Sequence, residues 1–159
     1  MDAFIGTIDA KTDAKGRVFV PAAFRKILQS SGESRLVLRK DVYQDCLVLY
    51  PEKIWEEELN KLREQLNEWN EEEQNTYRMI SWLVERLELD SNGRILIPKK
   101  YLQMTNISNA VCFIGMNKTI EIWSPDQLAK AMMSAEDLKN QVKKFLGGSK
   151  RTIEKSGQE

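Results

Sequence analysis

The sequence contains no histidine and only two cysteines, and these shortages exclude several kinds of functional site. Histidine is the commonest metal ligand and the usual general base near neutral pH. Cys46 and Cys112 lie in apolar, strand-like runs and form no C-x-x-C pair, so a zinc site is not expected. We predict two buried, reduced thiols, no metal and no cofactor.

The chain also lacks the short motifs on which many enzymes depend. It has no glycine-rich phosphate loop ending in Lys-Ser or Lys-Thr, and no G-x-S-x-G nucleophile turn. The acidic run at residues 71–73 has the composition of a solvated surface. We therefore expect a protein that is not an enzyme and has no small-molecule substrate.

Long apolar runs are absent as well. None approaches the roughly 20 residues that a membrane-spanning helix needs. The first residues, Met1–Phe4, lack the basic start and the long apolar segment of a signal peptide. The expected location is the cytoplasm, with no membrane partner.

What the sequence does contain is an internal repeat. Asp13–Pro21 returns 77 positions later as Asp90–Pro98, and both segments follow the pattern D-x-x-G-R, three apolar residues, proline. The similarity continues with residues 36–38 against 111–113 and with residues 46–51 against 120–125, where the offset has drifted to about 74. A repeat of this kind determines the architecture, because the fold must be built twice.

Each copy predicts the same order of elements: strand, turn, strand, short helix, strand, turn, strand, longer helix. The apolar runs are short and rich in β-branched residues, which favours strands. A copy of about 45 residues buries too little surface to be stable alone. We therefore predict a mainly β fold with flanking α-helices, in which the two copies interleave in one compact domain about an internal pseudo-twofold axis.

The turn accounts for several residues of the repeated unit. Asp13 and Gly16, like Asp90 and Gly93, occupy positions that favour a type I turn followed by a left-handed glycine in a tight hairpin. Residues 18–20 and 95–97 are expected to be core strand residues. The prolines at 21 and 98 are expected to end each strand and to begin a short helix.

The turn does not explain Arg17 and Arg94, which directly follow the turn glycines. Arginine is well suited to bidentate contact with phosphate or guanine. The alternative is an ion pair within each turn, from Asp13 to Arg17 and from Asp90 to Arg94, and the two hypotheses are compatible. Four neighbouring residues are further candidates for contact with nucleic acid: Lys15, Asn92, Arg25 and Lys99.

Helical periodicity appears between and after the two copies. Pro51 opens a helix whose apolar residues, from Trp55 to Trp69, recur every three or four positions, and a second segment is predicted at 77–83. This stripe fits core packing or a contact with a neighbouring subunit. Ser124–Asp126 is a favourable helix start, and the helical period continues to residue 146. The predicted organisation is a first copy at 5–53, connecting helices at 54–83, a second copy at 84–127, a C-terminal helix at 128–146 and a disordered tail at 147–159.

The duplicated unit resembles the signature of the MraZ family of bacterial transcriptional regulators, from about residue 5 to about residue 146. Phe4–Gly6 and the strand end Glu121–Trp123 match as well. The resemblance implies two SpoVT-AbrB-like swapped-hairpin domains forming a duplicated β-barrel. It implies a nucleoid-associated, ring-shaped homo-oligomer that binds double-stranded DNA sequence-specifically, at repeated promoter boxes ahead of the division and cell wall gene cluster. By motif position, the DNA-contacting arginines of the family fall on Arg17 and Arg94.

The charge balance keeps other functions open. The 24 basic and 24 acidic residues cancel, whereas many nucleic-acid-binding proteins are basic. The distribution is uneven, however: residues 1–26 hold five Lys or Arg against three Asp, and residues 52–73 hold nine Glu against three Lys or Arg. A structural ring without DNA binding is compatible with the neutral total. An AbrB-like antitoxin that binds a protein partner through its C-terminal helix is a further alternative.

Overall fold

The computed structural model describes residues 2–147, which form eight strands and six helices. The strands are β1 (Thr7–Lys11), β2 (Arg17–Phe19), β3 (Arg35–Lys40), β4 (Leu47–Pro51), β5 (Val84–Glu88), β6 (Arg94–Leu96), β7 (Ala110–Gly115) and β8 (Ile120–Trp123). The helices are α1 (Ala22–Ser30), α2 (Glu52–Gln65), α3 (Glu71–Trp82), α4 (Lys99–Met104), α5 (Pro125–Ala131) and α6 (Ala135–Leu146). The predicted disordered tail, apart from Gly147, lies outside the described residues.

The strands form two antiparallel sheets that mix the two copies of the repeat. The larger sheet has the order β1-β7-β8-β4-β3-β5, and the smaller sheet pairs β2 with β6. Three of the five junctions in the larger sheet join a strand of one copy to a strand of the other. The prediction of a mainly β fold with flanking helices, built from interleaved copies, is confirmed.

The pairing also confirms the internal pseudo-twofold symmetry. β1 pairs with β7 of the second copy, and the equivalent strand β5 pairs with β3 of the first, which is a reciprocal exchange of strands. In two places a residue of the first copy pairs with its own counterpart in the second: Val18 with Ile95, and Val48 with Glu121. The pseudo-twofold axis therefore passes through these two pairs. Within the described residues β1 and β5 remain the edges of the larger sheet, so hydrogen bonding does not close the expected barrel.

One correction concerns the alignment of the fourth strands. Val48 faces Glu121, 73 positions later, whereas the sequence match placed the offset at about 74. That match aligned Pro51 with Pro125, but Pro51 is the last residue of β4 and Pro125 is the first residue of α5. The two prolines are therefore not equivalent, and the strand register decides the alignment.

The main hydrophobic core draws on both copies. Its buried residues include Phe24 from the first copy and Tyr101 and Phe113 from the second, together with Phe4, which directly precedes the first copy; all are 0% exposed. The rings of Phe4 and Phe24 meet edge to face, with their centroids 5.6 Å apart. Neither copy could form this core alone, because the apolar side chains that pack against the other copy would then face water.

A smaller cluster lies where α2 packs on the sheet. Val37, Val48 and Tyr50 are buried there, and Trp55 of α2 lies with its ring centroid 5.1 Å from that of Tyr50. Core packing therefore explains the beginning of the apolar stripe on α2. None of the described helices is long and apolar enough to cross a membrane.

The connecting helices differ from the prediction at the C-terminal end of α2 and at the N-terminal end of α3. α2 ends at Gln65, and Leu66 turns the chain into an extended conformation, so Trp69 lies beyond the helix and is 89% exposed. α3 begins at Glu71, six residues earlier than predicted, because the side chain of Asn70 accepts a hydrogen bond from the backbone N–H of Glu73. The acidic run is the first turn of this helix, where negative charge is stabilised by the helix dipole.

The predicted single C-terminal helix is wrong, because the chain forms two. α5 ends at Ala131, and α6 begins after Ser134, whose side chain accepts a hydrogen bond from the N–H of Asp137 at 3.1 Å. The first compact unit of the chain runs to Leu128 and a second unit starts at Ala129. On α6 the apolar residues Leu138 and Val142 are exposed.

Cys46 and Cys112 are free thiols, both buried, as the sequence predicted. Burial raises the pKa of the Cys46 thiol to about 12, and burial also raises the pKa of Cys112. The thiolate is the reactive form, so both groups should react slowly with Ellman's reagent in the native protein at pH 8. We expect two equivalents of thiol only after denaturation, and rapid reaction of the native protein would contradict the described packing.

The hydroxyl of Tyr101 is buried without a hydrogen-bond partner among the described residues, and burial raises its pKa to about 12. The equivalent residue of the first copy is Phe24, which is also fully buried. Tyr101→Phe should therefore raise the free energy of unfolding by about 1 kcal/mol, since an unsatisfied buried hydroxyl is costly. Phe24→Tyr is the matched control and should lower it. Urea denaturation measures both changes, and a loss of stability in Tyr101→Phe would contradict the assignment.

Candidate functional site

The site is built on the two-stranded ribbon formed by β2 and β6. Its register places Arg17 opposite Leu96, Val18 opposite Ile95, and Phe19 opposite Arg94. Val18 and Ile95 are each 1% exposed and face the core. Because side chains alternate along a strand, the other four face the opposite side of the ribbon. Both sequence-predicted arginines therefore lie on one outward surface.

In the first turn, the carboxylate of Asp13 organises the backbone and the arginine together. Its Oδ1 accepts hydrogen bonds from the backbone N–H groups of Lys15 and Arg17, each at 2.9 Å. Its Oδ2 accepts one from Nε of Arg17 at 2.7 Å. Gly16 donates its N–H to the carbonyl of Asp13 at 3.1 Å and has a φ of +89°, the left-handed conformation that favours glycine.

The second turn repeats this arrangement. Oδ1 of Asp90 accepts hydrogen bonds from the N–H groups of Asn92 at 2.9 Å and of Arg94 at 2.8 Å, and Oδ2 accepts one from Nε of Arg94 at 2.9 Å. Gly93 has a φ of +83°. The ion pairs considered from the sequence are thus present in both turns. In the described part of the chain, the terminal nitrogens Nη1 and Nη2 of the two arginines make no hydrogen bond and remain available to a ligand.

These contacts favour the ionised form of both aspartates. The hydrogen bond from the backbone N–H of Arg17 is the largest cause that lowers the pKa of Asp13, and the side chain of Arg17 lowers it further. The pKa of Asp90 is lowered in the same way, first by the backbone N–H of Arg94. Each carboxylate therefore holds its arginine in position at neutral pH rather than releasing it.

Each turn is also tied to the opposite copy. The N–H of Ile97 donates to the carbonyl of Gly16 at 2.9 Å, and the N–H of Val20 donates to the carbonyl of Gly93 at 3.0 Å. Each turn of one copy is thus fixed to the strand end of the other copy. The distance between the two arginines is set by this reciprocal pairing.

The additional cations are distributed differently around the two turns. The first turn carries Lys15, and the second carries Asn92 at the equivalent position. Arg25 of α1 compensates for this difference, because a Cβ placed on Gly93 would lie only 2.6 Å from its Cδ. At the first turn the equivalent neighbour is Leu102, whose Cδ1 would lie 3.2 Å from a Cβ on Gly16. Each turn thus has one further basic side chain, and the second receives its own from the opposite copy.

Lys99 stands apart from this group. It is the exposed first residue of α4, and no hydrogen bond or ion pair joins it to either turn within residues 2–147. Its neighbour Lys100 is directed elsewhere, with Nζ 4.5 Å from the ring centroid of Trp82. The structure therefore brings together the two arginines, Lys15, Asn92 and Arg25, but not Lys99.

Phe19 and Leu96 are the residues that the sequence interpretation missed. They were expected in the core, but they lie on the outer face of the ribbon and are 54% and 51% exposed. Cζ of Arg94 lies 5.8 Å from the ring centroid of Phe19. The period-two alternation around buried Val18 and Ile95 was the signal that could have revealed them.

Fold and site together define a class: a swapped-hairpin β protein that presents two matched, arginine-bearing turns on one ribbon. Among the described residues no group of three or more Cys, Asp or Glu side chains is placed to hold a metal ion. The family model described as "MraZ protein, putative antitoxin-like" matches residues 3–78 and 85–145.

Curated relatives agree with this match. The chain is 49% identical to "Transcriptional regulator MraZ" of Bacteroides fragilis over 152 residues, which cover 96% of both chains. It is 51% identical to the protein of the same name from Phocaeicola vulgatus over 144 residues, covering 91% of this chain and 94% of the relative. It is 33% identical to that of Flavobacterium psychrophilum over 132 residues, covering 83% of each. The chain therefore belongs to the MraZ family of transcriptional regulators.

The two turn glycines should differ in their tolerance of alanine. Both have a positive φ, so either substitution strains the backbone. At Gly16 the new Cβ would also lie 2.6 Å from the carbonyl oxygen of Ile97, which the ribbon holds in place, whereas at Gly93 it would meet the flexible side chain of Arg25. Gly16→Ala should therefore cost more stability than Gly93→Ala, by roughly 1–3 kcal/mol, which is the usual cost of overpacking a rigid site. Urea denaturation measures the difference, and equal losses would contradict the asymmetry.

Proposed function

We propose that the chain regulates transcription by binding double-stranded DNA sequence-specifically, with the β2–β6 ribbon inserted into the major groove. One observation supports this most strongly: Arg17 and Arg94 project from the same outward face at matched positions about a twofold axis. The major groove admits a two-stranded β-ribbon, and its guanine edge offers two acceptors to one guanidinium group.

The ion pairs in the turns favour this role. Asp13 and Asp90 engage only Nε in each hydrogen-bonded pair, so Nη1 and Nη2 of each guanidinium group are left unbonded by the turn. An arginine fixed in this way loses less conformational freedom on binding than a mobile one. Arg17 and Arg94 would contact bases, while Lys15 and Arg25 would contact the phosphates beside them and Asn92 would contribute a hydrogen bond. For Lys99, which lies apart, we propose an outer phosphate contact.

The neutral total charge is compatible with this proposal because the acidic residues are concentrated elsewhere. Nine glutamates fall in residues 52–73, which form α2 and the beginning of α3. We propose that the chain assembles into a ring-shaped homo-oligomer, in which several ribbons bind repeated promoter boxes ahead of the division and cell wall gene cluster. Linked binding events raise the total affinity by orders of magnitude, so each ribbon needs only moderate affinity. The proposed location is the cytoplasm, in association with the nucleoid.

An antitoxin has less support. In that alternative the residues after a single AbrB-like unit, proposed at 5–53, would serve mainly to bind a protein partner. Here the proposed second unit, at 84–127, supplies strands β5 and β7, which pair with β3 and β1 of the first. The second half of the chain is thus needed to complete the first.

The proposal is tested with Arg17→Ala and Arg94→Ala, using the DNA upstream of the chain's own gene. Each variant should bind that DNA roughly ten- to a hundredfold more weakly, since a bidentate contact to guanine contributes about 1–3 kcal/mol. Fluorescence anisotropy measures the affinity, and binding of the unmodified protein should weaken steeply as salt is raised. Urea denaturation should show little change in stability, because exposed ion pairs stabilise a fold only slightly.

Arg63→Ala is the matched control, since Arg63 is an exposed arginine in the last turn of α2. It should leave DNA affinity unchanged. Analytical ultracentrifugation of the same samples tests the assembly, which neither ribbon arginine is expected to alter. Wild-type affinity in both ribbon variants would overturn the proposed mode of binding, and a purely monomeric protein would overturn the ring.

A further inference from the structure

We infer that Phe19 and Leu96 are specificity-determining residues that contact the C5-methyl groups of thymine in the major groove. This inference rests on the proposed function, because it assigns chemistry to the same ribbon. It adds a second kind of recognition, since the arginines select hydrogen-bond acceptors whereas these two side chains select an apolar group. Thymine is the base that presents a methyl group in the major groove.

The position of the two side chains is the first observation. Phe19 and Leu96 are 54% and 51% exposed, whereas their strand neighbours Val18 and Ile95 are 1% exposed. Polar residues would be expected on the solvent face of an antiparallel ribbon. The pseudo-twofold axis relates Phe19 to Leu96, so the apolar residue occurs at the same place in both copies. An apolar group repeated at an exposed position between two arginines indicates a surface that is covered when a ligand binds.

The register is the second observation. Leu96 lies directly opposite Arg17, and Phe19 lies directly opposite Arg94. Paired residues of antiparallel strands are about 5 Å apart, and alternate residues of one strand are about 7 Å apart. The four side chains therefore form a compact quadrilateral in which each apolar group adjoins an arginine of the other copy. Stacked bases of one DNA strand are about 3.4 Å apart, so positions about 5 to 7 Å apart span one to two base-pair steps. An arginine on guanine therefore places the adjacent apolar side chain against a base edge within two steps of it.

A purely supporting role does not account for both residues. Phe19 lies 5.8 Å from Cζ of Arg94, measured from its ring centroid, and could hold that guanidinium group in position. Leu96 has no aromatic ring to offer Arg17, yet it is exposed to the same extent. Arg17 is already held by Asp13 at 2.7 Å. Both positions present an apolar side chain on the outer face of the ribbon, and an apolar side chain can pack against the C5-methyl group of thymine.

The experiment compares two forms of the same DNA. The region upstream of the chain's own gene is amplified once with dTTP and once with dUTP, which removes the C5-methyl group and leaves the base-pairing atoms unchanged. Wild-type full-length protein should bind the uracil form at least about fourfold more weakly, since burying one methyl group stabilises by about 0.8 kcal/mol. Fluorescence anisotropy at fixed salt measures both affinities.

Alanine variants show which side chains cause the preference for thymine over uracil. Phe19→Ala and Leu96→Ala should each weaken binding to the thymine form, and the double variant should bind both forms equally. Val42→Ala, which changes an exposed apolar residue in the loop between β3 and β4, is the control and should keep the full preference for thymine. Circular dichroism melting curves should be unchanged, since all three side chains are exposed.

The outcomes separate this inference from the proposed function. If wild-type protein binds neither DNA form, the proposed function and the inference fail together. If it binds both forms equally, DNA binding stands and the inference is overturned. If Phe19→Ala and Leu96→Ala lose the same factor on both forms, the residues only position the arginines and the inference is again overturned. A change of oligomer size in these variants without a change in affinity would assign the surface to subunit contact instead.

Discussion

The reciprocal exchange of strands between the two copies is the constraint on which the rest of the structure depends. β1 completes its hydrogen bonding on β7, and β5 does so on β3. The exchange lets two units that are each too small for a stable core share one, in which Phe24 and Tyr101 are both fully buried. It also brings the two turns together, because β2 and β6 must then pair with each other.

The pairing of β2 with β6 also fixes the positions of the two turns and their arginines. Backbone bonds from Ile97 to Gly16 and from Val20 to Gly93 fix each turn against the opposite copy. The aspartate of each turn then fixes its arginine through a hydrogen bond to Nε, and the same contacts lower the pKa of the carboxyl group. Two guanidinium groups are thus held at a defined separation before any ligand arrives. The chain has no net charge, yet this preorganisation presents two guanidinium groups at matched positions on one ribbon.

Short sequence motifs predicted the turns and strands correctly. The longer helical periodicity predicted the helix ends wrongly. The Asp-to-Gly spacing predicted both turns, and β-branched runs predicted the strands. From helical periodicity we predicted that the first helix reaches Trp69 and that α5 and α6 are one helix. Both predictions were wrong, because apolar residues can keep a helical spacing across a break in the helix. The breaks depend on capping by Asn70 and Ser134, which act as helix starts only because their own backbone is extended rather than helical.

The sequence by itself determined the turns, the buried thiols and the presence of two arginines, since each follows from residue types at short spacing. It also determined the duplication, because the same nine-residue pattern occurs twice. Only the tertiary structure decided the register of β4 and β8 and the placement of Arg25 beside the second turn. The physical reason is that these features depend on strands that pair across 70 or more residues. The conformational entropy lost in such a pairing is offset only by burial of the whole core. A short stretch of sequence therefore does not show which distant strand it will pair with.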